Sequence, residues 1–438
     1  MTPRAIPRAL AVVAIVAAAC SDPAEPPLPS FSVSPAAQWS GGTIILRSEY
    51  FAHHLTVPVV VARTDTLTYI GINDSTVVAQ LPPGPSGPVT LSLVRGTRRD
   101  SLGTVQRVGL REHLMLLVGL NGELHATDSA GVPLVFGGYV NGTGIKEQIL
   151  RVRVTIPTFD ALTLREPSNA SYGMAPSATP GVYAVRDSTD SLRVATLFGS
   201  SPAVTGTVPW AGTGFTRQVS QLSPGIWLFT NAHQSYAKAE ADTGGAYRAF
   251  LNAESPWAVY VSPRGDRTTL AAVVAGTPGN EGVPVFDNAT GSVAYRLPLV
   301  GTEAATFSTD GSALYVVGGS DHTSDTLVAV NATTGTLLVP KVALPAGMNA
   351  MGVAYRSGGG GQLLVGAASS SMLALLVYRA STLELLAMLP SGDDCGPFPQ
   401  TGECFMGVVT VDDAHATAYL ITPGSPAPLW TFDLLDTP

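Results

Sequence analysis

Four segments of the chain end on versions of one short phrase, an acidic or amide residue followed a few positions later by Thr-Gly. They read Glu240-Ala-Asp-Thr243-Gly244, Asp287-Asn-Ala-Thr290-Gly291 and Asn331-Ala-Thr-Thr334-Gly335, with an eroded copy at Arg379-Ala-Ser-Thr382-Leu383. Their last positions, 244, 291, 335 and 383, are 47, 44 and 48 residues apart. A steady period in this range marks a stacked or radial repeat, in which each unit buries its apolar faces against its neighbours. That constrains most of the chain to one architecture. It says nothing of a ligand.

Composition fixes the type of unit. Charged residues make up 13% of the 438 and hydrophobic ones 45%, with 46 Gly and 34 Pro spread along the length. Few charges and many turn residues predict an all-β protein of many short strands, neither helical nor disordered. Lysine occurs only at Lys146, Lys238 and Lys341. The formal charge of −8 argues against nucleic acid as a partner, because phosphate neutralisation needs a basic surface.

The N-terminus reads as an address. Arg4 and Arg8 precede the apolar run Ala9 to Ala19, which Cys20 follows. A basic start and a run this short match a secretory signal and fall short of a bilayer span. The sequence Val16-Ala-Ala-Ala19-Cys20 resembles the bacterial lipobox, with Ala17 where leucine is usual. The resemblance implies removal of residues 1–19, acylation of Cys20 and membrane attachment through it. Each buried CH₂ contributes about 0.8 kcal/mol, so several acyl chains anchor firmly. Ser21 after the cysteine favours the outer membrane as the destination. Residues 20–30 are Pro-rich and fit a semi-rigid tether, spanning about 30 Å if extended. With Cys20 acylated, Cys395 and Cys404 form the remaining pair, and an oxidising compartment favours a disulfide between them. Closing that loop stabilises by roughly 3 kcal/mol in the chain-entropy model.

Residues 31–110 differ from the rest. Phe31 to Pro35, Gly42 to Phe51, Val57 to Ala62, Ser75 to Pro82 and Gly87 to Val94 read as short strands between turns, with the spacing of a β-sandwich. The order Ser-Pro, Gly-Gly-Thr, an aromatic closing the second strand, then Leu81-Pro-Pro-Gly-Pro-Ser-Gly87 resembles the IPT/TIG branch of immunoglobulin-like domains. That resemblance implies a spacer or interaction module. His53 and His54 are adjacent, and neighbouring side chains on a strand point to opposite faces, which speaks against a shared metal.

From 111 to 438 the repeats take over. Val259-Tyr-Val-Ser-Pro-Arg-Gly265 aligns with Thr306-Phe-Ser-Thr-Asp310-Gly311 and Ala354-Tyr-Arg-Ser-Gly358. In each, a strand enters a tight turn whose glycine accepts positive φ, and a second strand leaves it. Taking Asp128-Ser-Ala-Gly131, Arg186-Asp-Ser-Thr-Asp190 and Trp430-Thr-Phe-Asp433 as further copies gives seven units of roughly 47 residues. Seven four-stranded units predict a β-propeller, with six or eight blades left open. The pattern is similar to the YVTN/NHL-like bacterial propellers. On that resemblance the Asp-Gly and Thr-Gly turns share one face. The loops between second and third strands, and those between blades, share the other, where propellers usually bind.

No motif for catalysis stands out: no Gly-x-Ser-x-Gly elbow, His-Glu-x-x-His, Walker loop or Asp-x-Asp-x-Asp-Gly loop occurs. No cofactor or metal site is assigned and no catalytic residue is named. The candidate ligand-binding face gathers His233, Asn280, Glu281, Asp321, His322 and Asp325 from loops between second and third strands. Glu303, Asn349, Asp393 and Asp394 join it from loops between blades. Trp227 and Trp257 lie on expected strands and read as core. The expectation is an exported, lipid-anchored binding or scaffold protein that recognises a protein or glycan. The alternative is a propeller enzyme of lactonase or quinone-dependent dehydrogenase type.

Overall fold

In the computed structural model the described residues are 29–53, 59–116, 292–299, 302–319, 325–369, 372–391, 408–422 and 427–436, together with the backbone of the strands between Glu123 and Phe286. The fold is all-β, an Ig-like sandwich followed by a propeller. Among the described residues no helix is long and apolar enough to cross a membrane.

The sandwich has two sheets. One runs Ser32–Ser34, Thr43–Arg47, Thr76–Gln80, Thr68–Asn73 in spatial order. The other runs Ala37–Trp39, Arg98–Val108, Gly87–Arg95, Val59–Ala62, Asp65–Thr66. Alternation sets the inner faces: Ile44 and Leu46, Val77 and Ala79, and Val89, Leu91 and Leu93 are buried in one core. Each of these valine, leucine and isoleucine side chains contributes about 1.5–3 kcal/mol by leaving water. Ala37–Trp39 pairs parallel to the end of Arg98–Val108, from Ala37↔Gln106 to Trp39↔Val108. The aromatic expected at the close of the second strand sits one step later. The strand ends at Arg47, and a 3₁₀ turn over Glu49–His53 carries Tyr50 and Phe51 against Phe31.

Seven four-stranded sheets follow. Blade one is Glu123–His125, Leu134–Asn141, Gly144–Arg153 and Thr158–Arg165. Blade two is Met174–Pro176, Val182–Asp187, Ser191–Thr196 and Ala203–Pro209. Blade three is Thr216–Ser223, Ile226–Asn231, Ser235–Ala239 and Arg248–Phe250. Blade four is Ala258–Val261, Leu270–Val273, Val283–Phe286 and Val293–Leu297. Blade five is Thr302–Phe307, Ala313–Gly318, Thr326–Asn331 and Val342–Ala343. Blade six is Asn349–Arg356, Gln362–Ala368, Leu373–Arg379 and Glu384–Pro390. Blade seven takes Val408–Asp412, Thr417–Ile421 and Ala427–Asp433 from the end of the chain and its outermost strand, Leu110–Leu116, from the residues just after the sandwich.

The first strands of successive blades adjoin in order, and Glu123–His125 of blade one lies against Val408–Asp412 of blade seven, so the ring closes. Closure is by strand exchange between distant parts of the chain. Leu110–Leu116 pairs antiparallel with Ala427–Asp433, from Leu110↔Phe432 to Leu116↔Ala427. Arg111 hydrogen-bonds Asp433 and Thr417, and the His113 ring stacks on Trp430 at 5.0 Å and 13°. An outer strand taken from the other end of the chain leaves the ring without a free seam to open.

The flanking strands correct the phase of two repeat marks. Gly131 falls in sequence between the first and second strands of blade one, and Asp190 between the second and third strands of blade two. Neither occupies the position of the Thr-Gly phrase, between third and fourth strands, where Gly335 and Leu383 sit. The physical reason is that small and polar residues suit connections between strands in general, whichever strands they join.

The sandwich shares a core with the ring. Trp39 and Val108 pack in one cluster with Leu373, Leu389, Leu420 and Phe432 of blades six and seven. Ser86 Oγ accepts from the Gly109 N–H at 2.9 Å, and Gly109 O in turn accepts from the Asp433 N–H at 2.8 Å. Buried Arg107 donates to the carbonyls of Pro85 at 2.7 Å and Pro82 at 3.1 Å. Gly84 faces it at φ 155°, where a Cβ would be strained and would lie 2.6 Å from the guanidinium, displacing it.

Candidate functional site

Antiparallel order sorts the connections of blades five and six onto two ends. The turns after first and third strands share one end. The loops after second strands, and the starts of the next blades, share the other. Of the residues expected on the loop end, Glu303, Asp325 and Asn349 are described. Cys20, His233, Asn280, Glu281, Asp321, His322, Asp393, Asp394, Cys395 and Cys404 lie outside the described residues, as do His54 and Trp257.

Glu303 and Asn349 sit at the inner-strand starts of blades five and six and are half-buried. Asp325 immediately precedes the third strand of blade five and is fully buried. Its Oδ2 accepts from the Ala350 N–H at 2.6 Å, and its backbone carbonyl accepts from the Leu344 N–H at 2.8 Å. A carboxylate on a backbone N–H makes a short, charge-assisted bond. Asp325 therefore ties blade five to the first strand of blade six, and its placement is that of a staple at the base of the face.

Near it are two further buried oxygens, one on Asn349, which the sequence pointed to, and one on Thr302, which it did not. Thr302, the first residue of blade five, is 2% exposed, and its Oγ1 has no hydrogen-bond partner. The Asn349 Oδ1 is likewise buried and unpartnered. A buried polar atom without a partner costs about 1–3 kcal/mol and calls for a water, an ion or a ligand group. Thr302 pairs with Gly318 across blade five, Thr326 pairs with Gly318 from the other side, and Asn349 heads the adjoining inner strand. So Thr302, Asp325 and Asn349 all lie at the loop end where blades five and six meet. Threonine opening an inner strand in place of an apolar residue was the available signal.

The opposite end is occupied by structure. Arg356, at the close of the first strand of blade six, has a fully buried side chain. It donates to Asp413 at 3.1 Å, Gln362 at 3.0 Å and the Leu435 carbonyl at 2.9 Å, and it pairs with Asp436. Asp413 also accepts from the Ser357 and Gly358 N–H groups at 2.9 and 3.1 Å. Burial pushes the Asp413 carboxyl up, but the Ser357 hydroxyl, these amides and the Arg356 charge outweigh it and hold it below the usual range. This network joins blades six and seven and fixes the tail after the last strand. The aligned positions Val261 and Ser308 are uncharged, so an arginine there was legible as an anomaly.

Burial pushes the hydroxyl pKa of Tyr378, Tyr295 and Tyr315 up to about 12, with Tyr355 and Asp310 adding to the last. Tyr295 donates to the Ala332 carbonyl at 2.7 Å, and Tyr315 stacks on Tyr355 at 5.7 Å. Among the described residues no three His, Cys, Asp or Glu side chains converge as a metal site. Among the described residues, what the loop end holds is buried hydrogen-bond acceptors. Compared with known proteins, the chain matches no family model and no curated protein.

Proposed function

We infer that the protein is a lipid-anchored cell-envelope binding or scaffold protein, held by acylated Cys20 and presenting the loop end of its propeller to a protein or glycan. The observation that carries the binding assignment is the pair of buried, unpartnered oxygens, Thr302 Oγ1 and Asn349 Oδ1, at the blade five–six junction. Acceptors left without a protein partner beneath the loop end complement hydroxyl or amide donors, the groups glycans and extended peptides supply. The sequence supports the location through the lipobox-like Val16-Ala-Ala-Ala19-Cys20 and the Pro-rich tether. The IPT/TIG-like and YVTN/NHL-like patterns support a module built for presentation.

Two experiments test this. Cys20→Ala is expected to move the protein from the membrane fraction to the soluble one, and continued sedimentation with membranes refutes acylation. Screening the unacylated chain on glycan and envelope-peptide arrays is expected to give hits that Asn349→Ala weakens about tenfold. Hits untouched by Asn349→Ala and Thr302→Val move the binding surface elsewhere.

A further inference from the structure

Charge is divided unevenly between the two domains. Residues 31–110 carry six arginines, no lysine and four carboxylates, a net of +2. Residues 111–438 carry 16 basic and 26 acidic side chains, a net of −10. The arginines of the sandwich are also segregated. One end of the sandwich holds the junction with the propeller, at Trp39, Gly87 and Val108. Strand direction puts Arg47 at the other end, paired with Ser32 and Thr76. The hairpin of Arg95, Arg98 and Arg99 lies at that end too. So does Pro29, where the described chain emerges nine residues after Cys20.

Three carboxylates share this end, Glu49, Asp74 and Asp100. Asp100 is tucked beneath the hairpin with its side chain 10% exposed, bonding Arg95 at 2.7 Å and Arg98 at 2.7 Å. Arg98 remains 58% exposed, and Arg47 and Arg99 are exposed. Arg47 and Glu49 line a shallow cavity with Pro29 and Phe31 at the root of the tether. At physiological salt charges are screened within about 8 Å, so only this end senses a surface close to the anchor, and the acidic propeller does not oppose it.

We propose that the arginine-bearing end of the sandwich, Arg47 with Arg98 and Arg99, is a seat for phosphate-bearing lipid headgroups. It docks the sandwich on the membrane and turns the propeller away from it. The inference rests on the anchor at Cys20 for its orientation. Guanidinium groups form paired hydrogen bonds to phosphate oxygens, and basic side chains near an anionic surface are drawn to it. Because the sandwich shares a core with blades six and seven, seating one domain orients the other.

The test uses the unacylated chain from Ser21 onward, so loss of the seat and loss of the acyl anchor are read separately. Its partition is measured on phosphatidylcholine vesicles with and without phosphatidylglycerol, at low and high salt. About tenfold stronger partition onto the anionic vesicles is expected at low salt, lost at high salt and lost in Arg98→Glu/Arg99→Glu. Arg296→Glu, on the outer strand of blade four, is expected to bind like the parent. Equal partition onto neutral vesicles overturns the proposal. So does an unchanged preference in the double variant, or an equal loss in Arg296→Glu, which would reduce the effect to net charge. Binding to soluble polyglutamate as strong as to anionic vesicles would assign the surface to a polyanion and overturn the lipid assignment.

Discussion

The turn at 331–335 and its counterpart at 379–383 hold the same place in adjacent blades and do it with different chemistry. In blade five, Asn331 Oδ1 accepts from the N–H groups of Thr333 and Thr334, both at 3.0 Å, and Gly335 completes the turn at φ 71°. In blade six the caps are gone. Arg379 begins the turn, and Leu383 takes the left-handed position at φ 56°. Its N–H still donates to the Arg379 carbonyl at 2.8 Å, as Gly335 does to Asn331 at 2.9 Å. A non-glycine residue in that conformation costs about 1–2 kcal/mol. Leu383 is 1% exposed within the core of blades five and six, and that burial offsets the strain. The blade demands the backbone shape, and the Thr-Gly phrase is one way among several to supply it.

The comparison breaks most sharply at Gly335. A Cβ there would sit 2.6 Å from the ring of Tyr295 in blade four, besides being strained at positive φ. Gly335→Val is expected to lose about 3 kcal/mol of unfolding free energy, measured by denaturant titration. A loss under 1 kcal/mol would show that the turn moves freely. Leu383→Gly is the reciprocal change, relieving strain but emptying a core site. A net loss of about 2 kcal/mol is expected, because cavity formation outweighs about 1 kcal/mol of relief. Stabilisation would mean that the leucine is merely tolerated. Asn331→Ala removes two side-chain caps from the intact turn, with an expected loss of about 1 kcal/mol. The corresponding Arg379→Ala is expected to change less, since its bond to Glu384 is 3.3 Å long and exposed.

The smallest effect concerns pH. Asp413 has a depressed pKa in the folded protein. Its contribution is therefore present above the ordinary aspartate range and is lost as pH falls through the folded value. Melting temperature followed into acid is expected to fall less steeply in Asp413→Asn than in the parent. Parallel curves would remove the Arg356–Asp413 pair from the account of acid sensitivity.

The all-β class, the sandwich and seven repeats were legible because they are written in periods and turn residues. Alternating apolar runs such as Thr43–Arg47 and Gly87–Arg95 need no partner to be recognised. Four sandwich strands escaped, Ala37–Trp39, Asp65–Thr66, Thr68–Asn73 and Arg98–Val108. The first two are too short for a pattern. Thr68–Asn73 is an edge strand with Ile70 and Ile72 exposed, and Arg98–Val108 carries charged and polar residues on its outer face. The phase of blades one and two misled because their hairpins use turn residues elsewhere. The site was less legible still. Asp325 was visible as an acidic residue in a loop, but its bond to Ala350 depends on two blades meeting, and nothing local encodes that. Thr302 and Asn349 matter for what they lack, which only packing reveals.

The central structural claim is that one ring of seven sheets is closed by Leu110–Leu116, so that sandwich and propeller open together. Hydrogen exchange followed by mass spectrometry on the unacylated chain tests it most directly, comparing peptides covering 110–116 and 427–433. Shared pairing predicts that the hydrogen-bonded amides of both segments exchange at the same slow rate and lose protection at the same denaturant concentration. Rapid exchange of 110–116 while 427–433 stays protected would contradict the closure.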